Sequence, residues 1–136
     1  MRKRILVVDD DPELVELVSF NLKHAGYTIG TASNGVEAIK KARSMAPDLI
    51  LLDVMMPELD GFEVCEILQR DFETASIPIL MLTALSGELA RLTGLGAGAT
   101  DYVCKPFSPR ELVTRIGNLL KNTVNARVIP TQSRNF

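Results

Sequence analysis

Short apolar runs alternate five times with stretches of helical periodicity along this chain. Arg4 to Val8 is apolar, stops on carboxylates and reads as a buried first strand. Asp11-Pro12-Glu13 then opens a helix: Asp11 can cap it, proline suits its first position, and Glu13 meets the positive dipole end. Leu14, Leu17, Val18 and Leu22 supply one apolar face, and Gly26 ends the helix. Tyr27 to Ala32 reads as a second strand. Asn34-Gly35-Val36-Glu37 has capping-box spacing and starts a helix carrying Val36, Ile39 and Ala42. Leu49 to Leu52 is a wholly apolar third strand ending at Asp53. A turn through Pro57, Asp60 and Gly61 leads to a helix from about Phe62 to Arg70. Pro78 to Leu82 is a fourth strand, ending at Thr83. A weaker helix spans about Gly87 to Leu95, and a short strand follows from Asp101 to Cys104. Ser108-Pro109-Arg110-Glu111 caps a last helix, whose face is Leu112, Val113, Ile116, Leu119 and Leu120.

Five strands alternating with five helices predict an α/β fold, a parallel sheet covered on both faces. Right-handed crossovers make it a doubly wound, five-stranded sheet in the order 2-1-3-4-5. The folded domain is expected to span residues 1–121. Residues 122–136 lack periodicity and contain Pro130, and they read as a tail or the start of an interdomain linker.

Composition narrows the class. The 136 residues are 46% hydrophobic and 24% charged, a balance that excludes a largely disordered chain. No apolar run approaches the roughly 20 residues needed to cross a bilayer. The basic start is followed by only Ile5 to Val8 before carboxylates begin, too short for a secretory signal. A cytoplasmic protein without membrane contact is the expectation. Cys65 and Cys104 lack metal-binding spacing and read as buried, small apolar side chains. A formal charge of −2 gives no strong field for nucleic acid, so this segment is not expected to bind it directly. Control of DNA would need another domain or partner.

In such a sheet the functional crevice lies beyond the carboxyl ends of the strands, where strand order reverses. The first strand ends in Asp9, Asp10 and Asp11, the third in Asp53 and the fourth in Thr83, while Lys105 follows the fifth. Carboxylates near 4 Å repel by about 1 to 4 kcal/mol per pair, depending on local dielectric. Lys105 offsets one charge. A divalent cation would offset the rest, and an all-oxygen, partly open site favours Mg²⁺. Phosphoryl transfer needs an in-line nucleophile and positive charge around the transferred oxygens. Asp53 can be that nucleophile, with Mg²⁺, Lys105 and the Thr83 hydroxyl stabilising charge.

Four runs now point to a family. They are Ile5-Leu6-Val7-Val8-Asp9-Asp10-Asp11, Leu51-Leu52-Asp53 through Pro57 to Asp60-Gly61, Met81-Leu82-Thr83-Ala84, and Asp101-Tyr102-Val103-Cys104-Lys105-Pro106-Phe107. In order and spacing, from about Arg4 to Lys121, they resemble response-regulator receiver domains, the CheY-like family with its flavodoxin-like fold. The resemblance implies a two-component signalling switch rather than a metabolic enzyme, catalysing only its own phosphorylation and dephosphorylation. It implies that Asp53 accepts a phosphoryl group from a sensor histidine kinase or phosphotransfer protein. Asp10, Asp53 and the Met55 backbone carbonyl would be Mg²⁺ ligands, with Asp9 acting partly through water. Lys105 would pair with phosphoryl oxygens, and the Lys105–Pro106 bond would be cis. Thr83 and Tyr102 would form the switch, remodelling the surface of the fourth helix, fifth strand and fifth helix.

Some positions read otherwise or depart from that pattern. Asp11 is expected mainly as a helix cap, and His24 as a solvated residue near a helix C-terminus. Gly94-Leu95-Gly96-Ala97-Gly98-Ala99 contains a dinucleotide-type glycine pattern, but it ends a helix instead of opening one, so it is no nucleotide site. Arg91, Asp101, Glu111 and Arg115 match the ion-pairing positions of dimerising, DNA-binding members (the OmpR/PhoB class), whereas Gly96, Thr100 and Gly117 do not. A phosphorylation-dependent homodimer through that surface is one expectation. Apolar Met55 and Leu85 beside the acceptor predict slow loss of the phosphoryl group. Two other readings share parts of this pattern: a flavodoxin-like cofactor binder, disfavoured by three aspartates after the first strand, and a Mg²⁺-dependent phosphatase, which lacks a segment long enough for a cap.

Overall fold

The computed structural model describes the backbone of residues 2–133 and the side chains of residues 2–121. The tail or linker expected at 122–136 falls outside the residues described with side chains. The elements run β1 (Arg4–Val8), α1 (Pro12–His24), β2 (Thr28–Ala32), α2 (Gly35–Met45), β3 (Leu49–Leu52), α3 (Gly61–Arg70), β4 (Ile79–Thr83), α4 (Glu88–Gly96), β5 (Asp101–Cys104) and α5 (Pro109–Ser133). Every strand pairing is parallel, and the order is β2-β1-β3-β4-β5. Among the described residues, no helix is long and apolar enough to cross a membrane.

Side-chain alternation splits the interior into two cores. Ile5, Val7, Leu49, Leu51, Leu80 and Leu82 point to the layer of α1 and α5, meeting Val18, Leu22, Leu112 and Ile116. Leu6, Val8, Ile50, Leu52, Ile79 and Met81 point the other way, against Ala38, Ala42, Val64 and Leu68 of α2 and α3. The central strands are continuous apolar runs because both of their faces are covered.

The helix starts follow local chemistry. Asp11 Oδ1 accepts from the Glu13 amide at 3.1 Å, as its cap reading requires. Asn34 Oδ1 accepts from the Glu37 amide at 2.9 Å, but Glu37 reaches back to the Ser33 amide instead of closing a full box. The reciprocal box is at Asp60 and Glu63, which starts α3 at Gly61.

Three expectations about burial are corrected. Leu17 and Val36 are 49% and 56% exposed, so neither belongs to the inner face of its helix. At about 100° per residue, Leu17 stands about 140° from Leu22, and the seam of α1 runs through Val18, Ser19 and Leu22. In α2 the buried positions are Gly35, Ala38 and Ala42. Cys65 is buried as expected, but Cys104 is exposed, because it ends β5 at the sheet margin.

Candidate functional site

The register of the sheet assembles the site. Val8 is level with Leu52 across β1 and β3, so the residues that follow them, Asp9 and Asp53, leave the sheet side by side. The Asp53 amide donates to the Val8 carbonyl at 3.0 Å, and the Asp9 amide to that of Ala32 at 3.2 Å. These bonds extend the ladder one residue past each strand and fix where both carboxylates emerge. Carboxylate oxygens of Asp9, Asp10 and Asp53 lie within 4.8 Å of one another. Asp9 and Asp53 are buried, whereas Asp10 opens to solvent.

The remaining partners come from the far side of the sheet. Thr83 ends β4 fully buried, and its carbonyl accepts from the Lys105 amide at 2.8 Å. Lys105 Nζ then lies 3.0 Å from Asp9 Oδ2 and 3.9 Å from Asp53 Oδ2. The Lys105–Pro106 bond is cis. Asp9 Oδ1 accepts from the Asp11 amide at 3.0 Å, and Asp53 Oδ1 from the Met55 amide at 3.3 Å. Met55 itself is exposed at the mouth of the site.

One ammonium against three carboxylates leaves net negative charge. Burial pushes the Asp53 carboxyl above the ordinary aspartate range, and the Asp9 charge pushes it the same way. Lys105, the Thr83 hydroxyl and the Met55 amide oppose the rise without cancelling it. Hard oxygen donors clustered around uncompensated charge are a fit for a divalent cation.

Tyr102 is buried, and its hydroxyl donates to the Leu85 carbonyl at 2.6 Å, tying β5 to the segment that follows Thr83. Leu85 also donates its amide to Thr83 Oγ1 at 3.2 Å. Thr83, Leu85 and Tyr102 thus form one connected chain behind Asp53. His24 is exposed and stacks on Phe20, far from this chemistry in sequence and element. The glycine run from Gly94 closes α4, with Gly94 seated against the Tyr102 ring, where a Cβ would come within 2.8 Å.

In the sequence Gly61 reads as a turn residue and as the end of the run that carries Asp53, with no packing contact assigned to it. A Cβ there would lie 2.4 Å from the Asp53 carbonyl oxygen and 2.6 Å from Val54 Cα. Its amide donates to the Val54 carbonyl at 2.9 Å. Gly61 therefore lets α3 begin directly against the backbone that carries Asp53. The sequence signal was a glycine immediately after the Asp60 cap, a position that rarely needs one.

Comparison with known proteins agrees with this geometry. The response regulator receiver domain model matches residues 5–117. The chain is 50% identical over 123 residues to the alkaline phosphatase synthesis transcriptional regulatory protein PhoP of Bacillus subtilis, covering 90% of this chain and 50% of that protein. It is 48% identical over 120 residues to the DNA-binding dual master transcriptional regulator RpaA of Synechocystis, covering 88% and 50%. The chain thus spans about half the length of the curated relatives it matches. Among solved structures, the chemotaxis response regulator CheY4 of Vibrio cholerae superposes with a TM-score of 0.82 at 35% identity, covering 87% of this chain and 98% of that one. With a family model matched across most of its length, this chain belongs to the response regulator receiver domain family.

Proposed function

We propose that Asp53 is the phosphoacceptor of a two-component signalling switch, taking its phosphoryl group from the phosphohistidine of a sensor histidine kinase or a phosphotransfer protein. A single observation carries this reading: a buried carboxylate at a strand end lies within 4.8 Å of two others and 3.9 Å from an ammonium. An Asp53 carboxylate oxygen attacks phosphorus, the phosphorus–nitrogen bond breaks, and the imidazole leaves with its electron pair. The raised proton affinity of Asp53 marks a carboxylate whose charge is poorly compensated, which favours sharing that charge with phosphorus.

Mg²⁺ suits the donor set, with Asp10, Asp53 and the Met55 carbonyl as ligands and Asp9 acting partly through water. Bound there, the metal would supply positive charge to the phosphoryl oxygens. Lys105 moves its attraction from the carboxylates to the new phosphoryl oxygens, and the Thr83 hydroxyl donates to the same group. Thr83 is linked through Leu85 to Tyr102, so a shift at the phosphoryl group reaches the surface of α4, β5 and α5. That surface then acts on an output domain or partner, in a cytoplasmic protein whose own receiver binds no nucleic acid. Residues 1–121 form the receiver, and 122–136 serve as its tail or the start of an interdomain linker.

A phosphorylation-dependent homodimer through α4, β5 and α5 is part of the proposal. Leu89 and Leu92 support it, 80% and 52% exposed on α4. The charges there already pair within the chain, Arg115 with Asp101 at 2.9 Å and with Glu111 at 3.8 Å. The dimer would therefore rest more on apolar contact than on new ion pairs. Intact mass after incubation with Mg²⁺ and acetyl phosphate tests the whole reading. One added phosphoryl group, absent from Asp53→Asn, is the expected result; addition elsewhere or none at all would overturn it.

A further inference from the structure

Helix α4 meets the rest of the domain through very little. Among the described residues, the helix buries only Gly94, which has no side chain. Met81 of β4 and Tyr102 of β5 are level across the sheet and belong to the same core, forming the surface beneath it. A Cβ on Gly94 would come within 2.8 Å of Tyr102 Cδ2, 2.9 Å of Met81 Sδ and 3.1 Å of Tyr102 Cε2. We propose that Gly94 is the positioning residue for Tyr102: the bare backbone of α4 is the seat that admits the ring, and α4 pivots on that contact.

Conformation does not call for glycine there. Position 94 lies inside a helix, where glycine is a poor choice, so the reason is space. The ring itself is held at both ends. Its backbone belongs to β5, and its hydroxyl donates to the Leu85 carbonyl at 2.6 Å. It cannot slide away from a methyl group at position 94 without giving up that bond. Met81 is softer, since an unbranched thioether rearranges readily. The clash therefore falls on Tyr102. With the ring displaced, the chain from Thr83 through Leu85 loses its last member. The part this plays in signalling rests on the phosphoacceptor reading of Asp53; the seat itself does not.

The two ends of α4 differ in how they are held. At the C-terminal end Cys65 Sγ donates to the Ala97 carbonyl at 3.4 Å. Gly98 lies so close to α3 that a Cβ there would stand 2.4 Å from Gln69 Cγ. At the N-terminal end Gly87 offers no side-chain cap, and Leu89 is 80% exposed. At about 1.5 Å per residue, Gly94 stands about 4.5 Å along the axis from Ala97, and Leu89 about 12 Å. A tilt about the pinned end that begins at the seat is therefore about 2.7-fold larger at Leu89. A small change under Gly94 becomes a larger one on the exposed surface of α4.

Nuclear Overhauser contacts between the Tyr102 ring protons and the Gly94 α-protons test the seat, in the full chain without Mg²⁺ or phosphoryl donor. They are expected in the wild type, with the ring protected from a soluble paramagnetic probe. The chain has two tyrosines, so Tyr27→Phe assigns the signals. In Gly94→Ala the ring should become accessible, with several-fold faster relaxation by the probe. Gly96→Ala is the control on the same helix, because a Cβ there meets nothing within 4 Å, and its ring should stay protected.

Stability supplies a second arm. Gly94→Ala should lower the urea midpoint of the wild type but raise it in Tyr102→Ala, where only the helix-propensity gain remains. If Gly94→Ala alone does not fold, recovery of the fold in the Tyr102→Ala background is the expected result. No ring contact to Gly94 in the wild type, a ring still protected in Gly94→Ala, or the same loss in both backgrounds would overturn the proposal. Beryllofluoride with Mg²⁺, a phosphoryl mimic, then tests the pivot. Amides beside Asp53 and at Leu89 should shift in the wild type, and only the first set in Gly94→Ala. A full Leu89 shift in Gly94→Ala would overturn the pivot. No shift in either protein would instead count against Asp53 as acceptor and leave the seat standing on the ring contacts.

Discussion

Lys105 Nζ sits 3.0 Å from Asp9 Oδ2 and 3.9 Å from Asp53 Oδ2, so its ammonium is held on the neighbour of the proposed acceptor and not on the acceptor itself. Phosphorylation would place three oxygens beside that cation, and the lysine has only a short distance to move. In Lys105→Gln the Asp53 carboxyl loses an influence that lowers its proton affinity. Its pKa should rise further above the ordinary range, read by carboxyl-carbon NMR titration. Phosphorylation by acetyl phosphate should slow by about 10²-fold, the usual cost of losing a charge-stabilising donor. An unchanged titration would mean that Lys105 does not act on Asp53.

Asp53 should also leave a signature in stability against pH. Its folded pKa is raised, first by burial and then by Asp9. Between the unfolded and folded values the folded state binds more protons, so stability falls as pH rises through that window. The favourable contribution is complete only below the unfolded value, about 3.9 for an aspartate. At pH 7 Asp53→Asn should therefore unfold at a higher temperature than the wild type. The gap should close as pH falls toward 4. A gap that widens on acidification would reverse the assigned sign.

The same repulsion predicts a metal response. A cation that binds only the folded cluster stabilises it by mass action, about 1.4 kcal/mol at ten times its dissociation constant. Adding Mg²⁺ should raise the melting temperature by about 5 °C for a domain of this size. EDTA should reverse the change, and Asp10→Asn should abolish most of it. Equal shifts in wild type and variant would point to nonspecific ionic effects.

Lifetime is set by access of water to the phosphorylated carboxylate. Met55 is 57% exposed at the mouth, and Leu85 is half-buried beside Thr83. Neither side chain can orient a water molecule for attack. The phosphorylated protein should persist for many minutes, followed by intact mass after removal of the donor. Met55→Asn or Leu85→Gln should shorten that lifetime several-fold; decay within seconds in the wild type would reject the idea.

The chain order of elements, the sheet and the convergence of Asp9, Asp10, Asp53, Thr83 and Lys105 were legible in sequence for one reason. Each of these residues ends or follows an apolar run, and a parallel sheet carries all such ends to one margin. Helix phase was harder to read. Leu17 and Val36 are apolar and stand three positions from the partly buried Leu14 and Ile39, yet a narrow seam excludes them. Cys104 was read as buried because cysteine usually is, while the outermost strand leaves it exposed. Ser19 is the reverse case, a polar residue on the inner seam of α1 that no periodicity would select.

Gly61 offers the sharpest separation of local propensity from tertiary packing. Alanine is better than glycine within a helix by about 1 kcal/mol, which alone would favour Gly61→Ala at the start of α3. The added Cβ, however, would meet the Asp53 carbonyl oxygen at 2.4 Å and Val54 Cα at 2.6 Å. Both are backbone atoms and cannot rotate aside, so either α3 or the Asp53 segment must shift. Overpacking of this kind costs about 1 to 3 kcal/mol, enough to outweigh the propensity gain. Gly61→Ala should lower the urea midpoint and slow phosphorylation of Asp53. Gly96→Ala is the control, since a Cβ there meets nothing within 4 Å, and it should stabilise the protein slightly. If both variants gained stability alike, the close approach of α3 to Asp53 would not exist in solution.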